Sequence, residues 1–183
     1  MAVLEVPEEL NLAAVHEAIA AVIPERECIV WRDRRLTWAE VTDRSRRVAA
    51  LLAVHGLGSH RALADCEPWE SPQDHLALYL HNGNEYLEAL LGAAKGRCVG
   101  VNINYRYVAE ELQHVLADSD AKAIVYHASF APTLAEVLPT LPHLRLLVQV
   151  DDGSGTPLLP GAVEYEGALA SVSPDPPVDL SPD

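Results

Sequence analysis

The residue spacings in this chain that could carry chemistry are few, and each has an ordinary structural role competing with it. Glu111-Leu112-Gln113-His114 has the Glu-x-x-His spacing of carboxylate-bridged metal centres. Such centres need a second copy and further carboxylates on facing helices, and no second copy occurs, so a solvated helix face accounts for it better. Asp152-Gly153-Ser154-Gly155-Thr156-Pro157 resembles a glycine-rich phosphate loop. A phosphate cradle needs amides converging on the anion and usually a Lys to neutralise it; no Lys follows, and the segment runs into prolines, so a turn is expected. His75 and His81 fall on the same side of one predicted strand, too far apart to share a metal without other ligands. Ser119 lies between Asp118 and Asp120 with no His placed to activate it, which reads as a turn closing a helix. Cys28, Cys66 and Cys98 form no CxxC pair and are odd in number, which argues against a disulfide framework or a zinc site and suits a reducing cytoplasm. Read from residues alone, the chain shows no catalytic set and no metal site.

The elements that would position these residues follow from periodicity and caps. Asn11 is placed to cap a helix through about Val22, with Leu12, Val15, Ile19 and Val22 on one face. Cys28 to Trp31 alternates as a short strand, Asp33-Arg34 reads as a tight turn, and the chain returns through Leu36. Thr37-Trp38-Ala39-Glu40 is a capping box opening a helix that Gly56 and Gly58 end. Residues 59–74 hold two prolines and four acids and read as an exposed loop. Strands are expected over His75–Leu80, Cys98–Asn102, Ala123–Tyr126 and Leu144–Val150. Helices are expected over Asn84–Lys95, Ala109–Ala117, a short stretch capped by Ser129 and stopped at Pro139, and Glu164–Ser171. Short apolar strands alternating with helices imply right-handed crossovers: an α/β fold with a mainly parallel sheet flanked by helices, a small N-terminal hairpin and an irregular acidic tail. The division expected is an α/β subdomain over 1–150 and a Pro/Gly-rich acidic segment over 151–183.

Composition bounds the function. The 183 residues carry a formal net charge of −14, which repels nucleic-acid phosphates. Nearly half the residues are hydrophobic, as in a globular domain. Seven arginines fall between Arg26 and Arg47, interleaved with acids, whereas seven acids and no Lys or Arg follow from Asp151 onward. Met1 to Leu10 holds three glutamates and no basic run, unlike a secretory signal, and no apolar stretch approaches a membrane span. A cytoplasmic protein is expected, with peripheral membrane contact left open.

Three segments in order carry a family resemblance. His81-Asn82-Gly83-Asn84-Glu85-Tyr86, then Ala89 through Gly100, then Val101-Asn102-Ile103-Asn104-Tyr105-Arg106-Tyr107 resemble the second core motif of the AMP-forming adenylating enzymes in its acyl-CoA synthetase version. The Asn-x-Asn-Tyr-Arg-Tyr ending is typical of bacterial fatty-acyl or sterol-type synthetases. Leu36-Thr37-Trp38-Ala39-Glu40-Val41 looks like the family's first motif, and Ala117 to Tyr126 resembles its next helix-to-strand passage. Two departures stand out. The 59–74 loop is longer than the family usually has, with Cys66, Pro68 and Trp69 foreign to the pattern, and the sequence stops at Leu180-Ser181-Pro182-Asp183, where the family's chain enters its phosphate loop.

The resemblance implies an enzyme that joins a fatty or sterol-derived carboxylic acid to coenzyme A through an acyl-adenylate, using ATP and Mg²⁺. It implies that the chain is the N-terminal part of that enzyme, inactive by itself, with no catalytic residue to carry over. It also points to Asn104, Tyr105 and Arg106 as contacts for the nucleotide end of coenzyme A. Against that stands a local reading, in which Asn104 and Tyr105 shape a turn and Arg106 pairs with Glu110. Alternative functions are a non-catalytic α/β module binding a nucleotide or protein, or a peptide-synthetase adenylation domain, which the Asn-Tyr-Arg-Tyr ending disfavours. Apolar surface left by a missing neighbour would favour a homodimer, whereas the charge of −14 favours a monomer.

Overall fold

The computed structural model describes residues 11–175. Met1–Leu10 and Leu180–Asp183, for which the sequence raised expectations, lie outside the described residues. Helix α1 (Leu12–Val22) starts where Asn11 Oδ1 accepts the Ala14 amide at 2.8 Å. Strands β1 (Glu27–Trp31) and β2 (Arg34–Thr37) form the expected antiparallel hairpin. Its turn is one residue earlier than the sequence suggested. Trp31 pairs with Arg34, and Arg32 takes the left-handed conformation (φ 53°), so Arg32-Asp33 makes the turn and Arg34 begins β2.

The capping box at Thr37 forms in both directions: Glu40 N–H donates to Thr37 Oγ1 at 3.2 Å, and Thr37 N–H donates to Glu40 Oε2 at 2.7 Å. It launches α2 (Trp38–Val54). Gly56, at φ +68°, ends it with the Leu57 amide bonded back to the Leu52 carbonyl at 3.0 Å. Residues 59–74 are an exposed excursion whose ends meet at a Ser59–Gln73 bridge.

The main sheet has five parallel strands in the order β4-β3-β5-β6-β7. They are β3 (His75–Tyr79), β4 (Val99–Asn102), β5 (Ala121–His127), β6 (Leu146–Val150) and β7 (Val163–Glu164). Four strands were expected. The fifth, β7, is two residues long and lies in the segment read as irregular. Helices α3 (Asn84–Lys95), α4 (Ala109–Asp118), α5 (Ala131–Val137) and α6 (Tyr165–Ala170) complete the domain. Ser129 does not cap α5; it sits inside a 3₁₀ turn, Ala128–Phe130, that leads into that helix.

Alternation along β3 sorts the core. Leu76, Leu78 and Leu80 face α2, α3 and α6 together with Val125, Val148 and Leu169. Ala77 and Tyr79 face α4 and α5 with Leu112, Leu116, Ile124 and Leu134. Both faces are covered, so the parallel strands read as continuous apolar runs. Among the described residues no helix is long and apolar enough to cross a membrane.

Three helices on the first face are tied by buried charge. Lys95, 2% exposed, donates to Ser45 Oγ at 2.8 Å and pairs with Glu17 at 2.6 Å. Glu17 also holds Arg46 through two bonds of 3.1 and 2.6 Å. The paired cations overcome the effect of burial and hold the Glu17 carboxyl below its usual range. This set joins α1, α2 and α3 residues far apart in sequence, and no local pattern announces it.

Candidate functional site

Open α/β sheets bind ligands at the carboxyl ends of their strands, and a depression with a volume of about 860 Å³ lies there. Four of the five parallel strands deliver a polar or aromatic residue to it as the chain leaves the sheet. His81 follows β3, Tyr105 follows β4, His127 ends β5, and Asp151 and Asp152 follow β6. The hairpin tip, Trp31 to Arg34, closes one side. It is fixed to α3 by Arg34, whose Nη1 donates to Asn84 Oδ1 at 3.2 Å and to Glu85 Oε1 at 2.8 Å.

One wall is a cluster of rings. His81 lies 4.6 Å from Tyr105, 4.8 Å from Phe130 and 5.5 Å from His127, centroid to centroid. Phe130 stacks in turn on buried Tyr79 at 4.5 Å, which anchors the wall in the core. The backbone amide of His81 donates to His127 Nδ1 at 3.0 Å. Burial lowers the His127 pKa, with Asp152 pulling the other way and His81 adding to the lowering.

The opposite wall is acidic. Asp152 Oδ2 accepts the Ser129 amide and Asp152 Oδ1 the Ser154 amide, both at 3.0 Å. Burial works against its ionisation, but these bonds win and hold the carboxyl well below the usual range. The segment from Asp152 to Pro157 is a turn, as expected. Gly153 and Gly155 take positive φ, and the Gly153 and Ser154 amides, which could have helped cradle an anion, are already bonded to Asp151 and Asp152.

Of the three residues singled out in sequence, Tyr105 lines the depression. Asn104 Oδ1 accepts the Arg106 amide at 3.1 Å and its carbonyl accepts the Tyr107 amide at 3.0 Å, so Asn104 builds the strand-to-helix turn. Arg106 does not pair with Glu110; its guanidinium lies over the Tyr105 ring, 5.3 Å from the centroid, exposed to solvent. Glu111 accepts the Val108 amide at 3.1 Å and His114 is exposed, so the Glu-x-x-His pair is an ordinary helix face. His75 and His81 do not share a strand: β3 ends at Tyr79, His75 bonds the Ser119 carbonyl at the opposite end, and His81 joins the ring wall. Ser119 caps the end of α4.

His127, Asp152 and the hairpin tip are site residues that the sequence reading missed. The available signal was positional: each stands just past a strand or turn that points at one end of the sheet. Among the described residues no group of three or more His, Cys, Asp or Glu could hold a metal ion.

Similarity to known proteins covers the whole domain. A sequence model of the family described as AMP-binding enzyme matches residues 16–183. The chain is 54% identical over 167 residues to the medium-chain acyl-CoA ligase Mig of Mycobacterium avium, across 91% of this chain and 30% of that protein. It is 32% identical over 167 residues to the 3-oxocholest-4-en-26-oate–CoA ligase of Rhodococcus rhodochrous, across 91% and 28%. Its fold is similar to that of the anthranilate CoA ligase AuaEII in complex with anthranoyl-AMP, with a TM-score of 0.80 at 18% identity over 96% of this chain and 31% of that one. The chain spans about 30% of the length of the first of these curated relatives.

Proposed function

Because the chain belongs to the AMP-binding enzyme family, we propose that it is the N-terminal part of an AMP-forming acyl-CoA ligase. The proposed substrates are a fatty or sterol-derived carboxylic acid, ATP and coenzyme A. The acid's carboxylate attacks the ATP α-phosphorus, releasing pyrophosphate; the coenzyme A thiolate then attacks the acyl carbon of the adenylate and AMP leaves. The match over residues 16–183 supports the reaction class. Mg²⁺ would stabilise charge on the transferring phosphate when bound. The described residues offer it no cluster of ligands. The compartment we propose is the cytoplasm, in keeping with three unpaired cysteines.

The role of this domain is to present the strand-end crevice. Its walls set polar and charged groups beside a cluster of rings, which suits a nucleotide better than an alkyl chain. We assign the nucleotide end of coenzyme A to it, with Tyr105 on the wall and Arg106 at its edge. The guanidinium over Tyr105 is exposed and carries no ion pair among the described residues, so its fork of donors is available to a phosphate. Asn104 contributes by fixing the turn that holds both.

Calorimetric titration of coenzyme A into the wild type and Arg106→Ala tests this. Loss of one charge-assisted contact should weaken binding by roughly tenfold or more. Equal binding to both would remove Arg106 from the site, and no binding to the wild type would remove the site itself.

A further inference from the structure

His127 is 8% exposed, yet it borders the crevice. Its two ring nitrogens have different roles. Nδ1 accepts the His81 amide at 3.0 Å. That bond occupies the Nδ1 lone pair, so the neutral ring carries its proton on Nε2. Among the described residues Nε2 has no hydrogen-bond partner. The backbone has thus fixed the tautomer of a nearly buried imidazole that lines the crevice and keeps one N–H unbonded among the described residues.

The surroundings narrow what that N–H can meet. A phosphate is a poor partner, because Asp151 and Asp152 face the same space and Asp152 is ionised. An alkyl chain would leave the donor unsatisfied. An uncharged acceptor on a flat ring satisfies both the donor and the wall, since exposed His81, 5.5 Å from His127, offers a face to stack against. Carboxylates beside such a ring suit the hydroxyls of a sugar.

We propose that His127 reads the purine base of the bound nucleotide, its Nε2–H donating to a ring nitrogen while the base rests on the His81–Tyr105 wall. This rests on the assignment of the crevice to the nucleotide end of coenzyme A, and adds a residue that discriminates the base. His81 acts through its backbone amide as the positioning group that sets the tautomer.

The test uses the full chain, with coenzyme A and 4′-phosphopantetheine, which lacks the nucleoside, as probes in calorimetry. His127→Asn keeps a polar atom near the His81 amide and deletes the donor at the Nε2 position; His127→Gln restores a donor there. Coenzyme A binding should weaken roughly three- to tenfold in His127→Asn, the range of one neutral hydrogen bond, and recover in His127→Gln. Binding of 4′-phosphopantetheine should be the same in all three proteins. Nitrogen NMR of the wild type should show a neutral, Nε2-protonated ring whose Nε2 signal moves on adding coenzyme A. Coenzyme A binding unchanged in His127→Asn, with Arg106→Ala still weakened, overturns the inference and leaves the site standing. Failure of the wild type to bind coenzyme A overturns the site and the inference together.

Discussion

Glu88→Ala should destabilise the domain by about 3 kcal/mol or somewhat more, the cost of removing the fully buried carboxylate of an ion pair whose arginine is partly exposed. Glu88 lies on α3 with no exposure to solvent. Its two oxygens serve three partners. Oε1 accepts from Asn84 Nδ2 at 2.9 Å and lies 2.8 Å from Arg44 Nε, a contact of charges whose N–H is poorly aligned for a hydrogen bond. Oε2 accepts from the Tyr165 hydroxyl at 2.9 Å. Removing the carboxylate leaves a buried phenol and a buried amide without acceptors. Arg44 keeps Glu166 through bonds of 3.0 and 2.7 Å. The network ties α2, α3 and α6, and Asn84 continues it to Arg34 at the hairpin tip. For a chain of this length the loss corresponds to a fall in Tm of roughly 10 °C. Tyr165→Phe deletes one of the three partners and should cost about 1 kcal/mol, with a Tyr165–Glu88 double-mutant cycle showing coupling. A Tm within about 2 °C of wild type for Glu88→Ala, measured by near-UV circular dichroism, would show that water or rearrangement replaces the network.

Gly92→Ala carries the second large effect, and its sign runs against helix propensity. Alanine in mid-helix is normally favoured over glycine by about 1 kcal/mol. Here a Cβ at position 92 would sit 2.4 Å from both Cβ and Cγ1 of Val48 and 3.0 Å from the Ser45 carbonyl oxygen. Val48 is a branched side chain on α2, 3% exposed, with little freedom to turn aside. Helices α2 and α3 would have to separate, disturbing the Lys95–Ser45 bond that spans the same contact. The expected loss is about 2–3 kcal/mol, typical of overpacking in a close-packed core. Val48→Ala in the Gly92→Ala background should recover part of it, even though Val48→Ala alone opens a cavity. Urea denaturation of the four proteins reads out the cycle. An unchanged or raised midpoint for Gly92→Ala would mean the helix contact is looser than it stands here.

Local rules made much of the fold legible. Thr37 and Glu40 announce a helix start because both partners of the capping box are three residues apart. The apolar run Leu76–Leu80 announces a buried parallel strand because both faces are covered. What failed was either very short or non-local. Strand β7 is two residues, Val163 and Glu164, and gains its identity only by pairing with Val148 and Gln149. The hairpin turn shifted by one residue because Arg32 adopts a positive φ that its residue type does not advertise. The ties of Lys95 to Glu17 and of Glu88 to Tyr165 join residues 78 and 77 positions apart and are invisible to spacing arguments. For the candidate site, Tyr105, which lines the crevice, stands in the contiguous run Asn104-Tyr105-Arg106 that the family resemblance singles out. His127 was not legible, since a lone histidine at a strand end acquires meaning only when the His81 amide reaches it.

The direct measurement of the proposed reaction is a product assay on the proposed full-length ligase, supplied with ATP, Mg²⁺, coenzyme A and a panel of fatty and sterol-derived carboxylic acids. Acyl-CoA should appear together with AMP and pyrophosphate, one of each per thioester formed. Formation of ADP and phosphate in their place, or no thioester from any acid by a protein shown to be folded, would contradict it.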